Sequence, residues 1–235
     1  MTIAADPSVI IEYPEEDDLP MPEGDEQREY LSYATKVLRI FWQDRRDVYV
    51  SGNLFIYYEK GNRSANVAPD TFVVFGIDNH NRGSYKVWEE EGKLPSFVLE
   101  ITSEATHKRD ERDKSVLYAK LGVQEYFQYD PTGKYLRSQP LQGMRLENGK
   151  YVKIDTFTSS DGALALFSET LDLELRLFSE KGLRFYDPVA DELLRSHDEE
   201  TQARIEAQKD RSKAEQKVQR LADRLRALGI DPDRV

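Results

Sequence analysis

The chain has 235 residues, three histidines, no cysteine and a formal net charge of −11. That length holds one sizeable domain plus an appendage. The lack of cysteine excludes disulfides and thiolate metal sites, and no apolar run reaches the roughly 18 residues of a transmembrane helix. The acidic N-terminus does not have the basic-then-apolar order of a signal peptide, so a soluble cytoplasmic protein is expected. A charge of −11 argues at face value against nucleic acid as a partner. The charge is uneven, however: residues 1–30 hold ten acids and one base, Arg28, and subtracting these from 44 and 33 leaves 34 acids against 32 bases. The rest of the chain is near neutral, and the global charge says little about any one cleft.

In chain order, residues 1–22 combine several prolines with much of the excess acid and read as an extended arm. From Glu26 to about Arg45, the apolar residues Tyr30, Leu31, Ala34, Val37, Leu38, Phe41 and Trp42 recur at intervals of three and four. This predicts an amphipathic helix with Asp25 as its N-cap. "DVYVSG" and "NLFIYYE" flank Gly52-Asn53 and suggest a tight hairpin. "TFVVFGI" and "SFVLEITS" read as further strands. "EATHKRDERDKSVLYAKLG" predicts a helix starting near Ser103 and stopped by Gly122. "VQEYFQYD", "KYLRSQ", "MRLENGKYVKI" and "TLDLELRL" read as strands, with "ENG" as a hairpin turn. Trp88 is expected to pack under the loop leading to the Glu100 strand, and Tyr126, Phe127 and Tyr129 to pack in the core. Helix, strands, helix, strand and then a meander predict an α+β fold with a mixed sheet flanked by helices.

Beyond Pro188 charged residues dominate, with neither Gly nor Pro before Gly229. Val218, Leu221, Leu225 and Leu228 fall at spacings of 3, 4 and 3, a heptad-like pattern. The same register run backwards places Ala214, Arg211, Ala207 and Arg204 on the seam. The expectation is a long helical tail over 188–235 that either pairs as a coiled coil or stays solvated, following a domain over 23–187.

Two acids stand out because they interrupt apolar strand text. In "FVLEITS", Val98, Glu100 and Thr102 share one face, so Glu100 projects from mid-strand, where an ionised carboxylate is costly unless paired or bound to metal. Asp70 opens its strand after Pro69, a residue that cannot donate to a ladder. If the two strands are neighbours, the acids converge, and with a backbone carbonyl they make a hard oxygen site for Mg²⁺ or Mn²⁺. Lys114, on the following helix, can reach back toward the same point. The plainer alternative has Asp70 capping a turn, Glu100 paired with a surface cation and Lys114 paired with Asp110. His80, His107 and His197 show no metal-ligand spacing, though His107 is near the cleft in sequence. Gly76, Gly83 and Gly92 form no phosphate loop.

"MPEGDEQREYLSYA", "APDTFVVFG" and "LPSFVLEITSEATHKRDERDKSVLYAKLGVQEYFQYDP" resemble the bacterial putative restriction endonuclease (Uma2-like) family of the PD-(D/E)XK nuclease superfamily, over about Pro20 to Pro188. The resemblance implies a restriction-endonuclease-like core and a Mg²⁺-dependent or Mn²⁺-dependent endonuclease acting on DNA. Pro69-Asp70 matches the PD half-motif. Glu100-Ile101-Thr102 matches the second half-motif with a departure, since Thr102 stands where the superfamily has lysine. The family pattern moves that lysine to the next helix, here Lys114. The implied metal ligands are Asp70, Glu100 and the Ile101 carbonyl, with Asp70, Glu100 and Lys114 as the catalytic set. Glu26 or Glu29 could add an acid from the first helix, and Lys108, Arg109 and Arg112 could contact the DNA backbone. A homodimer is expected because double-strand cleavage by a single-site nuclease needs two copies. The alternative is a non-catalytic nuclease-fold protein that binds nucleic acid or a protein partner through its helical tail.

Overall fold

The computed structural model describes Tyr13 and residues 25–102, 110–136, 139–180 and 182–228. The chain divides into two units, Met1–Leu194 and Arg195–Val235. The first unit holds helix α1 (Asp25–Phe41), strands β1 (Val48–Ser51), β2 (Ile56–Tyr57), β3 (Asn66–Val67), β4 (Thr71–Phe75), β5 (Tyr85–Lys86) and β6 (Phe97–Ile101), and helix α2 (Asp110–Leu121). It continues with β7 (Glu125–Tyr129), β8 (Leu141–Glu147), β9 (Lys150–Lys153), β10 (Phe157–Thr158), β11 (Leu164–Ser168), β12 (Leu173–Phe178), β13 (Gly182–Asp187) and β14 (Glu192–Leu193). This is an α+β fold. The central six-stranded sheet has the order β1-β4-β6-β7-β8-β9, mixed because β6 and β7 run parallel across the α2 crossover while the other pairs are antiparallel. A five-stranded antiparallel meander, β10 to β14, and a small sheet of order β3-β2-β5 complete the unit.

Strand alternation splits the core in two. Phe97, Leu99 and Ile101 of β6, with Phe127 and Tyr129 of β7, point to one side, where they meet Ala34, Val37 and Leu38 of α1 and Leu166, Leu173, Leu175 and Phe185 of the meander. The 34/37/38 spacing of α1 is the period of one helix face. Burying each large side chain of this set is worth roughly 1.5–3 kcal/mol. Val98 of β6 and Tyr126 of β7 point the other way, into a second core with Phe72, Tyr85, Tyr118 and Val123. Glu100 belongs to that second side by alternation, so α1 and α2 cover opposite faces of the strand that carries it. Gly182, at φ 62°, lies so close to Tyr30 that an added Cβ would meet the Tyr30 hydroxyl oxygen at 1.9 Å. Tyr13 stacks edge-on against Tyr57 with ring centroids 4.9 Å apart, and its hydroxyl accepts from the Gly61 amide at 2.7 Å. Trp88, partly buried, contacts the same Tyr13 ring at 5.1 Å.

The structure corrects three sequence expectations. Gly52-Asn53 closes no hairpin: β1 pairs with β4, while β2 pairs with β3 and β5. The Asn53 amide donates to the Pro69 carbonyl at 2.8 Å, and a Cβ on Gly52 would sit 2.1 Å from the Asp70 carbonyl oxygen. The small-residue pair is there for a close backbone approach, not for a turn between neighbours. Tyr135 and Leu136 of "KYLRSQ" lie in no strand, because their amides are gathered onto the Asp130 carboxylate at 2.5 and 2.9 Å. The first helix ends at Phe41, not near Arg45, and begins at Asp25 itself. The "ENG" turn is present between β8 and β9, with Asn148 and Gly149 both at positive φ, 50° and 77°. The expected helix start near Ser103 lies outside the described residues, as do residues 1–12 and 14–22 of the arm.

In the second unit α3 (His197–Ala227) opens on a capping box. Ser196 Oγ accepts from the Glu199 amide at 3.2 Å, and Glu199 Oε2 accepts from the Ser196 amide at 2.8 Å. Asp198, Glu199 and Glu200 in its first turn suit the positive end of the helix dipole. Ile205, Val218 and Leu221 are exposed on it, as is Leu228 at its C-cap. Among the described residues no helix is long and apolar enough to cross a membrane.

Candidate active site

β4 and β6 pair antiparallel with Thr71 opposite Leu99 and Phe72 opposite Val98. One step further along this register sets Asp70 opposite Glu100, where facing Cβ atoms lie about 4.5–5.5 Å apart. The Pro69-Asp70 backbone is clasped from the β1 side by Gly52 and Asn53. The Asp70 side chain turns the other way, and its Oδ2 accepts the Ile101 amide at 2.7 Å. Thr71 is tied to α1 by a hydroxyl contact with Thr35 at 3.0 Å. Asp70 is therefore held between β1, α1 and β6 at the mouth of its strand.

Glu100 is 6% exposed. Its two oxygens are held by one helix: Lys114 Nζ donates to Oε2 at 3.1 Å, and the Tyr118 hydroxyl donates to Oε1 at 2.5 Å. Lys114 and Tyr118 are four apart in α2 and so share a face. Burial, and after it the Glu100 charge, push the Asp70 carboxyl well above the usual carboxylate range against the opposing pull of Lys114 and the Ile101 amide. Burial, and then the Glu100 charge, likewise raise the Tyr118 phenol well above its ordinary value, which keeps it a hydroxyl donor. The cluster sets two carboxylates against one ammonium. Either a proton on Asp70 or one more cation would balance it, and two converging hard oxygen donors suit Mg²⁺ or Mn²⁺. The residues present fit such an ion.

Of the residues singled out from the sequence, the structure brings Asp70, Glu100 and Lys114 together, and Thr102 is buried at the end of the same strand. Lys114 reaches Glu100. Among the described residues no third acid or histidine completes a metal-ligating group. Glu26 and Glu29 are in α1 and Arg112 is in α2, but their side chains lie outside the described residues, as do Lys108, Arg109 and His107 entirely. His197 opens α3, with its side chain also outside that range. The His80 ring is exposed and lies 3.3 Å from the Asp78 carboxylate, away from the acid pair. Tyr118 is not among the residues that the sequence singles out. Its i,i+4 relation to Lys114 was the available signal.

The mixed sheet with its β6-α2-β7 unit agrees with the restriction-endonuclease-like core expected from the sequence. The chain belongs to the Uma2 family, described as putative restriction endonuclease, whose family model matches residues 2–177. A crystal structure of a putative nuclease belonging to DUF820 from Anabaena variabilis aligns at 15% identity with a TM-score of 0.46, covering 65% of this chain and 76% of that one. No curated protein matches the chain.

Proposed function

We propose that the protein is a metal-dependent endonuclease that hydrolyses DNA phosphodiester bonds with Mg²⁺ or Mn²⁺. The observation that carries this reading is the convergence of Asp70, Glu100 and Lys114 at one end of the β4–β6 pair. Asp70, Glu100 and the Ile101 carbonyl would hold the ion. When bound, the ion supplies charge neutralisation at the phosphoryl oxygen and makes water at the site more acidic. Lys114 Nζ orients the attacking water and offsets negative charge that develops at phosphorus, a contribution made in the transition state and not in the ground state. Glu100, hydrogen-bonded to that ammonium, keeps it aimed.

The direct test is Mg²⁺-dependent or Mn²⁺-dependent cleavage of plasmid DNA, with an RNA duplex alongside and Asp70→Ala as control. Cleavage by the parent and none by Asp70→Ala supports the reading. Full activity in Asp70→Ala removes it. A non-catalytic nuclease-fold protein that acts through its tail is the second reading, favoured by the exposed Val218 and Leu221 of α3 and Leu228 at its C-cap. Metal binding without cleavage of any nucleic acid would select it. We also propose a homodimer joined through the 218–228 heptads. Light scattering on the full chain and on one ending at Leu194, the end of the first unit, tests this: a monomer in both overturns it, and a dimer in both moves the contact into the first unit.

A further inference from the structure

We infer that Tyr118 is a positioning residue for Glu100: its hydroxyl sets the plane in which the carboxylate is presented toward Asp70 and a divalent cation. The inference rests on the metal-dependent reading above. A glutamate side chain has three torsions, and burial alone does not choose among them. Here both oxygens are engaged from one helix face, Oε2 by Lys114 at 3.1 Å and Oε1 by Tyr118 at 2.5 Å. The two donors differ in kind. Lys114 ends a long flexible chain that keeps 22% of its side-chain exposure. Tyr118 is 1% exposed, its ring lies 5.2 Å from that of Tyr126, and it is part of the second core with Val98 and Val123. A ring held on all sides delivers its hydroxyl to one point, so the rigid half of the clamp is the tyrosine.

Chemistry agrees with this division. A phenol has one proton to donate, and a carboxylate oxygen has two lone pairs. Tyr118 therefore occupies one acceptor position of Oε1 and leaves the other open. Its full burial keeps it from touching a polymer substrate. Two other buried or part-buried tyrosines donate to main-chain carbonyls, Tyr85 to Lys93 at 2.9 Å and Tyr151 to Val123 at 3.0 Å, which is the structural use of the same group. Tyr118 instead donates to the acid that faces Asp70. Ligating carboxylates need such partners for orientation, and loss of one typically weakens metal binding 10–100-fold.

The test uses the full chain and titrates Mn²⁺ by calorimetry into the parent and Tyr118→Phe, which keeps the ring and its packing and removes only the hydroxyl. The expected result is a Mn²⁺ affinity roughly 10–100-fold weaker in Tyr118→Phe. Plasmid cleavage at saturating Mn²⁺ should fall in kcat with KM for DNA unchanged. An unchanged Mn²⁺ affinity, even with a lowered thermal midpoint, overturns the positioning role, because it leaves only a structural hydrogen bond. A crystal of the parent protein with Mn²⁺, which needs no variant to fold, must keep the Tyr118 hydroxyl within hydrogen-bond distance of Glu100. Its release there also overturns the inference. A parent that binds no Mn²⁺ removes the metal-dependent reading and this inference together, whereas tight binding by both proteins removes this inference alone.

Discussion

Two pairs of acids on neighbouring strands of the same sheet have opposite environments. Glu125, at the start of β7, is 1% exposed and surrounded by donors: Arg145 through Nε and Nη2 at 2.9 and 2.8 Å, the Ser168 hydroxyl at 2.5 Å, and the amides of Glu169 and Thr170 at 3.1 and 3.2 Å. Asp130, just after β7, accepts from Thr132, Gly133, Tyr135 and Leu136. Burial pushes Asp130 up, but the amides of Leu136 and Tyr135 and the Thr132 donors outweigh it and hold the carboxyl below its ordinary value. Glu100 and Asp70 are also enclosed, yet each has the other as a neighbour, and Asp70 is pushed up, not down. Glu125 and Asp130 are fully supplied with donors and fasten the β7–β8 and β7–meander junctions. Glu100 and Asp70 are short of positive charge. A buried acid with every lone pair answered is part of the architecture, while one that faces another acid has kept its capacity for a ligand.

That contrast is most easily broken by variants that separate stability from activity. Asp70→Asn keeps an acceptor for the Ile101 amide and removes the repelling charge. We expect cleavage to fall by roughly a thousandfold or more, about 4 kcal/mol of barrier, while the metal-free thermal midpoint at neutral pH rises. A midpoint that falls would mean that Asp70 is an architectural acid like Asp130. Lys114→Ala should lose roughly 10²–10³ in kcat. It should bind Mn²⁺ at least as well as the parent, since it leaves the two carboxylates with no neighbouring ammonium. Thr102→Lys in that background should return part of the activity, because residue 102 shares the face of Glu100. Parent-like turnover in Lys114→Ala would end the account in which the motif lysine has moved from strand to helix.

Glu125→Ala supplies the converse. It strips Arg145 of its buried partner and leaves the Ser168 hydroxyl and two amides unanswered. Breaking such a pair costs about 3 kcal/mol, or roughly 6 °C or more in a chain of this size, with Mn²⁺ affinity unmoved. A Mn²⁺ affinity that falls alongside the midpoint would show that β7 and the candidate site are coupled.

The sequence revealed one half of this contrast and concealed the other. Asp70 and Glu100 were legible because each interrupts an apolar run, and Lys114 because α2 follows at once. Period and punctuation were enough for α1, α2, the β8–β9 turn and the mixed sheet. Glu125 was not legible: "VQEYFQYD" reads as a strand whatever its glutamate does, and its partners lie 20 to 45 positions away in β8 and the loop after β11. Asp130 hid a loop inside apparent strand text for the same reason. Gly52-Asn53 misled because small residues permit a tight turn and a close approach alike, and only the partner strand, β4 in place of β2, decides between them. Pairing over long separations is set by tertiary contact, which local pattern does not encode.

The smallest expected effect is also the one that tests the contrast by sign. The Asp130 carboxyl is lower in the folded chain than unfolded, so its contribution is fully present above the unfolded value near 3.9 and is lost as pH falls through the folded value. The Asp70 carboxyl is higher in the folded chain, so between about 3.9 and its raised folded value the folded state binds the extra proton and stability falls as pH rises. Chemical denaturation of the parent, Asp70→Asn and Asp130→Asn across pH 3 to 8 should therefore give difference curves of opposite slope. A chelator must be present, because a divalent cation would supply the missing charge. The parent should lose stability relative to Asp70→Asn on going from acid to neutral pH. Relative to Asp130→Asn it should gain, with the change confined to the acid end. Parallel curves would show that the two aspartates occupy the same electrostatic environment, and the distinction between an architectural acid and a ligand-ready one would then rest on geometry alone.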